Sequence, residues 1–553
     1  MHKAVQRRFS PGERLRGAWY GSRLYGYSLR GKHPANLAHV PTDPWPGEAA
    51  RADALFHGDY AFADAVVSVR DTPPWRIEPP SEAWLAELHG FSWLRHFTAQ
   101  GGPAAKSHVQ GFVKNWLDDF AVWHEFAWRP DILARRLIAW SCAGPMLVAS
   151  NDLIYRSKLL NTMARQARHL ARVAGQTPDG PARLIAVIGL VYSGLVLPEG
   201  EKRLAKGLAL LDVVLAAQVL PDGGYVTRSP ADQLAALGDL AALRRTLLAA
   251  QREVPESLQN AIDRMAPMVR FFRHGDGRLC LFNGAWEDSA EHIDFVLSLA
   301  EAPGKPLSGA PHSGFHRLKA GRSLIIADCG APPPGALSAH AHAGIGAFEM
   351  SIARDRLVVN CGVAAPNQPE AARWRAAGRA SAAHSTLTLD NTSSSAILEN
   401  GCLGRVPSEV TCTRQEEDGR ILVELSHDGY DKTHGVIHRR RLFLDAGGGD
   451  VRGADVLTGH KGRARAIPFA IRFHLHPDVM ASISQNGEIV MLRLRRGAGW
   501  EFRALGGAIT LEASVYLGAG GPPRRAEQIV IAGVHEGGET AVKWSFKRAE
   551  AVS

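Results

Sequence analysis

From Leu94 to Phe272, apolar residues recur at the three- and four-residue intervals of an α-helix. In Asp131-Ile-Leu-Ala-Arg-Arg-Leu-Ile-Ala-Trp140, Ile132, Arg135, Arg136 and Ala139 fall near one helical face, and Leu133, Leu137 and Trp140 near another. Leu208–Gln218 and Gln233–Leu243 repeat this spacing, and Pro198-Glu-Gly200 and Asp222-Gly-Gly224 interrupt it. Helices separated by short breaks predict stacked helical hairpins. No strict sequence repeat accompanies them.

The period changes near Arg273, where His274-Gly-Asp-Gly277 signals a turn. Beyond it, short alternating runs are bounded by Gly, Asp and Asn. Ala347–Ala353 and Arg356–Asn360, joined by Arg354-Asp355, predict a hairpin. His384–Leu389, Ile467–His476 and Ala508–Tyr516 also alternate. Many short strands without intervening helices predict an antiparallel β-sandwich. The chain is therefore a multidomain α and β protein. The switch in period sets a boundary between Ala266 and Gly277, dividing it into a helical domain at 1–270 and a β-sandwich domain at 271–553.

Length supports more than one core: 553 residues exceed what a single hydrophobic core fills. Composition is that of a globular protein, with 45% hydrophobic and 22% charged residues. The longest apolar run, Leu184–Leu197, is 14 residues, short of the roughly 20 a membrane span needs. The first 32 residues carry eight basic side chains and one acid with no apolar run behind them, which is not a secretory pattern. The residues alone thus predict a cytoplasmic protein. The six cysteines form no CxxC pair, so neither a disulfide framework nor a zinc ribbon is expected. The net charge of +9 divides as +7 over residues 1–270 and +2 over the remainder. The basic helical half suits an anionic substrate, or is simply a solvated face. There is no P-loop, no GxSxG and no dinucleotide fingerprint.

Three stretches are candidates for chemistry. In Ser338-Ala-His-Ala-His-Ala-Gly344, an extended backbone points His340 and His342 to one side, converging on a metal or a substrate. On the later strand His384, Thr386 and Thr388 share a face, while Leu387 and Leu389 point into the core. Arg379 precedes it and is suited to a carboxylate. His474-Leu-His476 has the same spacing and reads as ordinary strand. In the helical half, Trp84, Trp93, Trp116, Trp123, Trp128 and Trp140 fall within 57 residues. Trp116, Trp123, Trp128 and Trp140 are candidates to stack on sugar rings, the alternative being core packing. The Asp222-Gly-Gly turn would display Tyr225 and Arg228 at a helix edge, Tyr225 as general acid or base, unless the segment is a plain loop.

These segments resemble the heparinase II/III-like family. The resemblance runs from about residue 90 almost to the end. It is carried by Leu220-Pro-Asp-Gly-Gly224, Arg228-Ser-Pro230, Leu281-Phe-Asn-Gly284, Ala341-His-Ala343 with Phe348-Glu-Met350, Leu357-Val-Val-Asn-Cys-Gly362, Ala382-Ala-His-Ser-Thr386, His438-Arg-Arg-Arg-Leu442, Arg472-Phe-His-Leu-His-Pro477 and Gln528-Ile-Val-Ile531. It implies an α/α toroid followed by a β-sandwich, and cleavage of acidic polysaccharides by β-elimination. That reaction must neutralise the uronate carboxylate, remove the C5 proton and protonate the leaving oxygen. By resemblance His340 is the catalytic histidine, His342, Asn360 and His384 hold a Zn2+ ion, and Glu349 joins the substrate contacts. Arg379 or Arg228 would hold the carboxylate. The family also implies the periplasm or cell envelope as an alternative location.

Several positions depart from the family pattern. Asn360 stands where the metal set has Asp, and an amide is a poorer zinc ligand than a carboxylate. Gly344 replaces an acidic residue. The Asn-His pair expected near Pro181-Ala182 is missing. Thr227 replaces a Glu, and Ala231-Asp232-Gln233 replaces a Tyr-His. Three functions follow: a lyase acting on an acidic glycan, a non-catalytic glycan-binding protein, or a metal-dependent hydrolase. Neither nucleic-acid binding nor a particular oligomeric state is predicted.

Overall fold

The computed structural model describes residues 11–63, 65–363, 371–459, 466–497 and 499–549. Residues 1–10, part of the basic N-terminal stretch, lie outside the described residues. The chain forms two compact units, one of Met1–Ala217 with Asp239–Asn260 and the other of Gln218–Gly238 with Ala261–Ser553. The segment around the Asp222-Gly-Gly turn and the last helical residues therefore belong with the strands. The predicted cut follows the helix Glu256–Phe271, but a further helix, Ala290–Ala300, comes before the first strand of the sheets at Gly309, and the units are divided by packing.

The first unit is helical, apart from a two-stranded hairpin of Asp59–Phe62 and Ala65–Ser68 that the periodicity did not predict. Some of its helices begin at side-chain caps. The Ser81 hydroxyl accepts from Trp84 N at 3.0 Å, and the Asp152 carboxylate accepts from Tyr155 N at 2.9 Å. Proline opens the helices Pro130–Cys142 and Pro181–Val196, where its missing N–H costs nothing. These two helices pack closely because Gly189 faces Ala134: a Cβ on Gly189 would lie 2.5 Å from the Ala134 Cβ. No helix among the described residues is long and apolar enough to cross a membrane.

The second unit carries two antiparallel sheets. One runs in the order 480–483, 489–493, 499–505, 539–548, 450–459, 436–444, 420–430 and 410–417. The other runs 508–516, 524–535, 467–475, 355–359, 348–352, 323–328, 315–320 and 309–310, with Leu387–Leu389 added against Ile467–Leu475. The predicted hairpin is present as Phe348–Ile352 and Asp355–Val359. One face of each sheet turns inward, and Phe348, Phe473, Phe502, Trp544 and Phe546 meet in the shared core. The Phe348 and Trp544 rings stack 5.6 Å apart.

The core also holds a paired polar cluster. Along Val436–Leu444, alternation brings His438 and Arg440 to the buried side. His438 Nε2 donates to the Asp455 carboxylate at 2.7 Å, Arg440 binds the same carboxylate at 2.7 and 3.1 Å, and Trp544 Nε1 donates to it at 2.8 Å. The other Arg440 amine donates to the carbonyls of Gly346 and Ser385, at 2.8 and 2.7 Å. Those carbonyls lie on the two loops that carry His342 and His384.

Candidate functional site

The site is assembled within the second unit. Gly335–His340 is a 3-10 helix rather than a strand, so His340 and His342 part company: His340 is exposed and His342 is buried. The extended geometry expected of that segment gives way because Arg379 gathers it. The Arg379 guanidinium donates to the carbonyls of Ser338, Ala341 and Gly401. With its donors spent on backbone, Arg379 is an organiser of the loop and not a free carboxylate clamp.

His342 and His384 do converge. His342 Nδ1 lies 2.9 Å from His384 Nε2. His384 Nδ1 donates to the Ala380 carbonyl at 2.8 Å, so a neutral His384 keeps its lone pair on Nε2 and His342 Nδ1–H is the donor between the rings. Burial lowers the pKa of both, that of His384 to about 4, so the neutral pair is the stable form. His384 sits ahead of the short strand Leu387–Leu389, where Thr386 and Thr388 are buried with the leucines instead of forming an open polar face.

Asn360 does not complete a metal set. Its Oδ1 accepts from Ser385 N at 3.0 Å, and its Nδ2 donates to Glu349 at 3.2 Å and to the Leu281 carbonyl at 3.4 Å. A Cβ at Gly344 would come within 2.8 Å of the His384 ring, so no acidic side chain fits there either. Two imidazoles already hydrogen-bonded to one another fall short of the three protein ligands that even an open zinc site uses. No group of three or more His, Cys, Asp or Glu able to hold a metal occurs among the described residues. The residues present do not fit the zinc ion that the family implies.

Glu349 is fully buried and accepts from His274 Nε2, Leu281 N, Asn360 N and Asn360 Nδ2 at 3.1–3.2 Å. It is an internal hub rather than a substrate contact. Tyr225 is likewise buried, its hydroxyl donating to Gln218 Oε1 at 2.7 Å and its N–H to Gln233 Oε1 at 2.6 Å, so the turn does not display it. The Asp-Gly-Gly turn is tied down through Asp222, which accepts from Ser313 N and Oγ, each at 2.7 Å. Arg228 is buried with φ of +58°, unusual for a non-glycine residue, and pairs with the buried carboxylate of Asp328. Its Nε donates to the Ser313 carbonyl at 2.7 Å.

The tryptophans resolve by burial. Trp116, Trp128 and Trp140 are at most 1% exposed, which rules them out as sugar platforms. Trp116 and Trp140 instead enclose the buried Arg136, whose guanidinium carbon lies 4.5 and 5.7 Å from their ring centroids. Trp123 is half-buried against Tyr20, with centroids 6.0 Å apart.

Sequence reasoning assigned no role to Asn283 or Asp232; Asn283 borders His342, and Asp232 borders His340. Asn283 has φ of +47°, accepts from His342 N at 3.1 Å and donates to the Arg228 carbonyl at 3.0 Å, bridging the Arg228 turn to the histidine loop. Gly284, with φ of +79°, follows it, and a Cβ there would lie 3.2 Å from the His340 carbonyl. The Asn-Gly pair was the only local signal. Burial raises the Asp232 pKa, and the Thr227 hydroxyl and the His340 ring oppose the rise.

Residues 104–300 match the family model described as heparinase II/III N-terminus, and residues 302–545 match heparinase II/III-like, C-terminal. FtsZ-localized protein C of Caulobacter vibrioides is 32% identical over 547 residues, covering 96% of this chain and 94% of that one. The chain belongs to the heparinase II/III-like family. Solved structures carry the same fold at low identity. A crystal structure of heparinase III superposes with a TM-score of 0.75 at 16% identity, over 97% of this chain and 91% of its own. Heparan sulfate lyase HepC from Pedobacter heparinus gives 0.64 at 16% identity, over 98% and 88%. The heparinase II/III-like fold of this chain is thus a helical N-terminal region followed by antiparallel sheets.

Proposed function

We propose that this chain is a non-catalytic member of the heparinase II/III-like family that localises with FtsZ. One observation carries the reading: the similarity to FtsZ-localized protein C extends over nearly the whole of both chains. The chemistry of the site agrees. β-Elimination needs a cation for the uronate carboxylate, a base and an acid in one open place. Of the four groups the sequence nominated, Arg228 is paired with Asp328, Arg379 is spent on carbonyls, Tyr225 is buried against Gln218, and His340 alone is exposed.

A second reading, a lyase acting on an acidic polysaccharide, is favoured by that same exposed His340 beside Asp232, an imidazole and a carboxyl close enough to influence one another. Two assays separate the readings. Purified protein is sedimented with FtsZ polymers, and it is also incubated with a panel of acidic polysaccharides read by ultraviolet absorbance of unsaturated uronate. The expected outcome is co-sedimentation with FtsZ and flat absorbance for both wild type and His340→Ala. Absorbance that grows with wild type and stops with His340→Ala would replace this reading by the lyase.

A further inference from the structure

A cavity of about 440 Å³ lies on the outer face of the sheet that contains Ile467–Leu475. Among the described residues, none of His340, His342 and His384 lines it. Phe473 and Ile529 point into the sandwich core, so alternation turns their neighbours His474 and Gln528 outward. His474 pairs with Gln528 and Gln528 with Glu512 across adjacent strands, and Ser514 shares this outer face two residues beyond Glu512. The helix Ala371–Gly378 contributes Trp374 to the lining, and the 3-10 turn Ser381–Ala383 contributes Ala382 and Ala383. The end of the helix approaches the chain after Asp355–Val359 because Gly378 has no side chain: a Cβ there would lie 3.0 Å from the Gly362 carbonyl. Trp374 is half-buried, and Ala377 and Ala513, which also line the cavity, are exposed, so it opens to solvent.

The polar atoms of this cavity are arranged to accept. His474 Nε2 donates to the Ala382 carbonyl at 3.0 Å, and burial lowers the pKa of the ring to about 3, so it is neutral. Its Nδ1 therefore accepts from the Ser514 hydroxyl at 2.8 Å, and the Cys361 sulfur lies further off, at 3.5 Å from the same nitrogen. With its proton committed to the ring, Ser514 Oγ keeps its lone pairs for a donor. Gln528 Nε2 donates to the Ala513 carbonyl at 3.2 Å, while its Oε1 is buried without a hydrogen-bond partner. No charged side chain lines the cavity among the described residues. Its size falls within the roughly 300–1,000 Å³ of small-molecule sites, which combine apolar walls with a few fixed polar groups.

We infer that this cavity binds an uncharged sugar residue, packed on Trp374, with hydroxyl or acetamido N–H groups donating to Ser514 Oγ and Gln528 Oε1. A uronate is the wrong chemistry, because it would bring a charge into a lining that holds no cation to offset its desolvation. A purely apolar ligand would leave the Gln528 carbonyl unpaired. A sugar meets both demands: its C–H face packs on an indole while its hydroxyls reach acceptors at the side. The ligand is thus of a different class from the acidic polysaccharides implied by the family resemblance, and the site involves neither His340 nor the FtsZ reading.

The test is isothermal titration calorimetry on the full-length protein at millimolar ligand. N-acetylglucosamine and cellobiose serve as neutral probes, glucuronic acid as the acidic probe and adenosine as an uncharged heterocycle. The expected result is saturable heat with at least one neutral sugar and none with glucuronic acid or adenosine. Trp374→Ala should weaken that binding by about tenfold or more. Ser514→Ala and Gln528→Leu should each weaken it by about threefold to tenfold, with thermal midpoints near that of wild type. A measurement on wild type alone stands beside the variants: the bound sugar should protect Trp374 from oxidation by N-bromosuccinimide, mapped by peptide mass spectrometry. Silence with both neutral sugars, glucuronic acid or adenosine binding as well as they do, or sugar binding that all three variants retain and that leaves Trp374 unprotected would each overturn the proposal.

Discussion

At the scale of single residues, the family's polar positions persist here with their side chains turned to structural work. Arg228 illustrates it. A guanidinium that a sequence comparison places at a substrate edge is buried against Asp328, whose own pKa is raised by burial and only partly restrained by that arginine. Removing one member of a buried pair leaves an uncompensated charge, so Arg228→Ala should cost about 3–5 kcal/mol of stability. Urea unfolding of Arg228→Ala, Asp328→Asn and the double variant checks this. The double variant should be the more stable of the two that lack Arg228.

At the scale of elements, the sandwich is organised around Asp455. Burial pushes its carboxyl up, but the Arg440 charge and the His438 hydrogen bond prevail and hold it well below the ordinary carboxylate range. A depressed carboxyl contributes stability that is complete above an unfolded-state pKa of about 3.9 and is lost as pH falls towards the folded value. Asp455→Asn should therefore lower stability at neutral pH and flatten its decline below about pH 4, measured by denaturant titration across pH. The same strand supplies a steric test. A Cβ on Gly453 would fall 2.0 Å from the Trp544 ring, which is itself stacked on Phe348 and bonded to Asp455. Gly453→Ala should destabilise by about 1–3 kcal/mol through overpacking, visible as a lower thermal midpoint and a perturbed near-ultraviolet tryptophan signal.

At the scale of the whole molecule, buried histidines set the response to acid. Burial lowers the pKa of His89, His169, His427 and His474, to about 4 for His169 and about 3 for His474. The unfolded chain takes up protons near pH 6.5 and the folded chain does not, so stability falls as pH drops below 6.5 and keeps falling until the folded values are reached. The upper limit is about 1.4 kcal/mol per pH unit for each such group. The thermal midpoint should drop clearly between pH 7 and pH 5 at constant salt, well before Asp455 is protonated. A midpoint unchanged across that interval would mean that these rings titrate in the folded protein.

The sequence by itself determined the order of a helical region followed by antiparallel strands, the Phe348–Val359 hairpin, the long strands Ile467–Leu475 and Ala508–Tyr516, and the meeting of His342 with His384. Each is written in local periodicity, or in residues whose spacing matches a family pattern. Direction and burial were decided by the tertiary structure. His340 and His342 are two residues apart, but three carbonyls gathered by Arg379 hold the segment in a 3-10 turn and separate the two rings. Trp116, Trp128 and Trp140 carry the same composition whether they stack on sugars or close a core, and neighbouring helices bury them around Arg136. Arg228 and Asn360 took partners from distant segments, Asp328 for Arg228 and Ser385 for Asn360, and Tyr225 turned back onto Gln218. A side chain's partner depends on which distant segment packs beside it, and local spacing does not encode that choice.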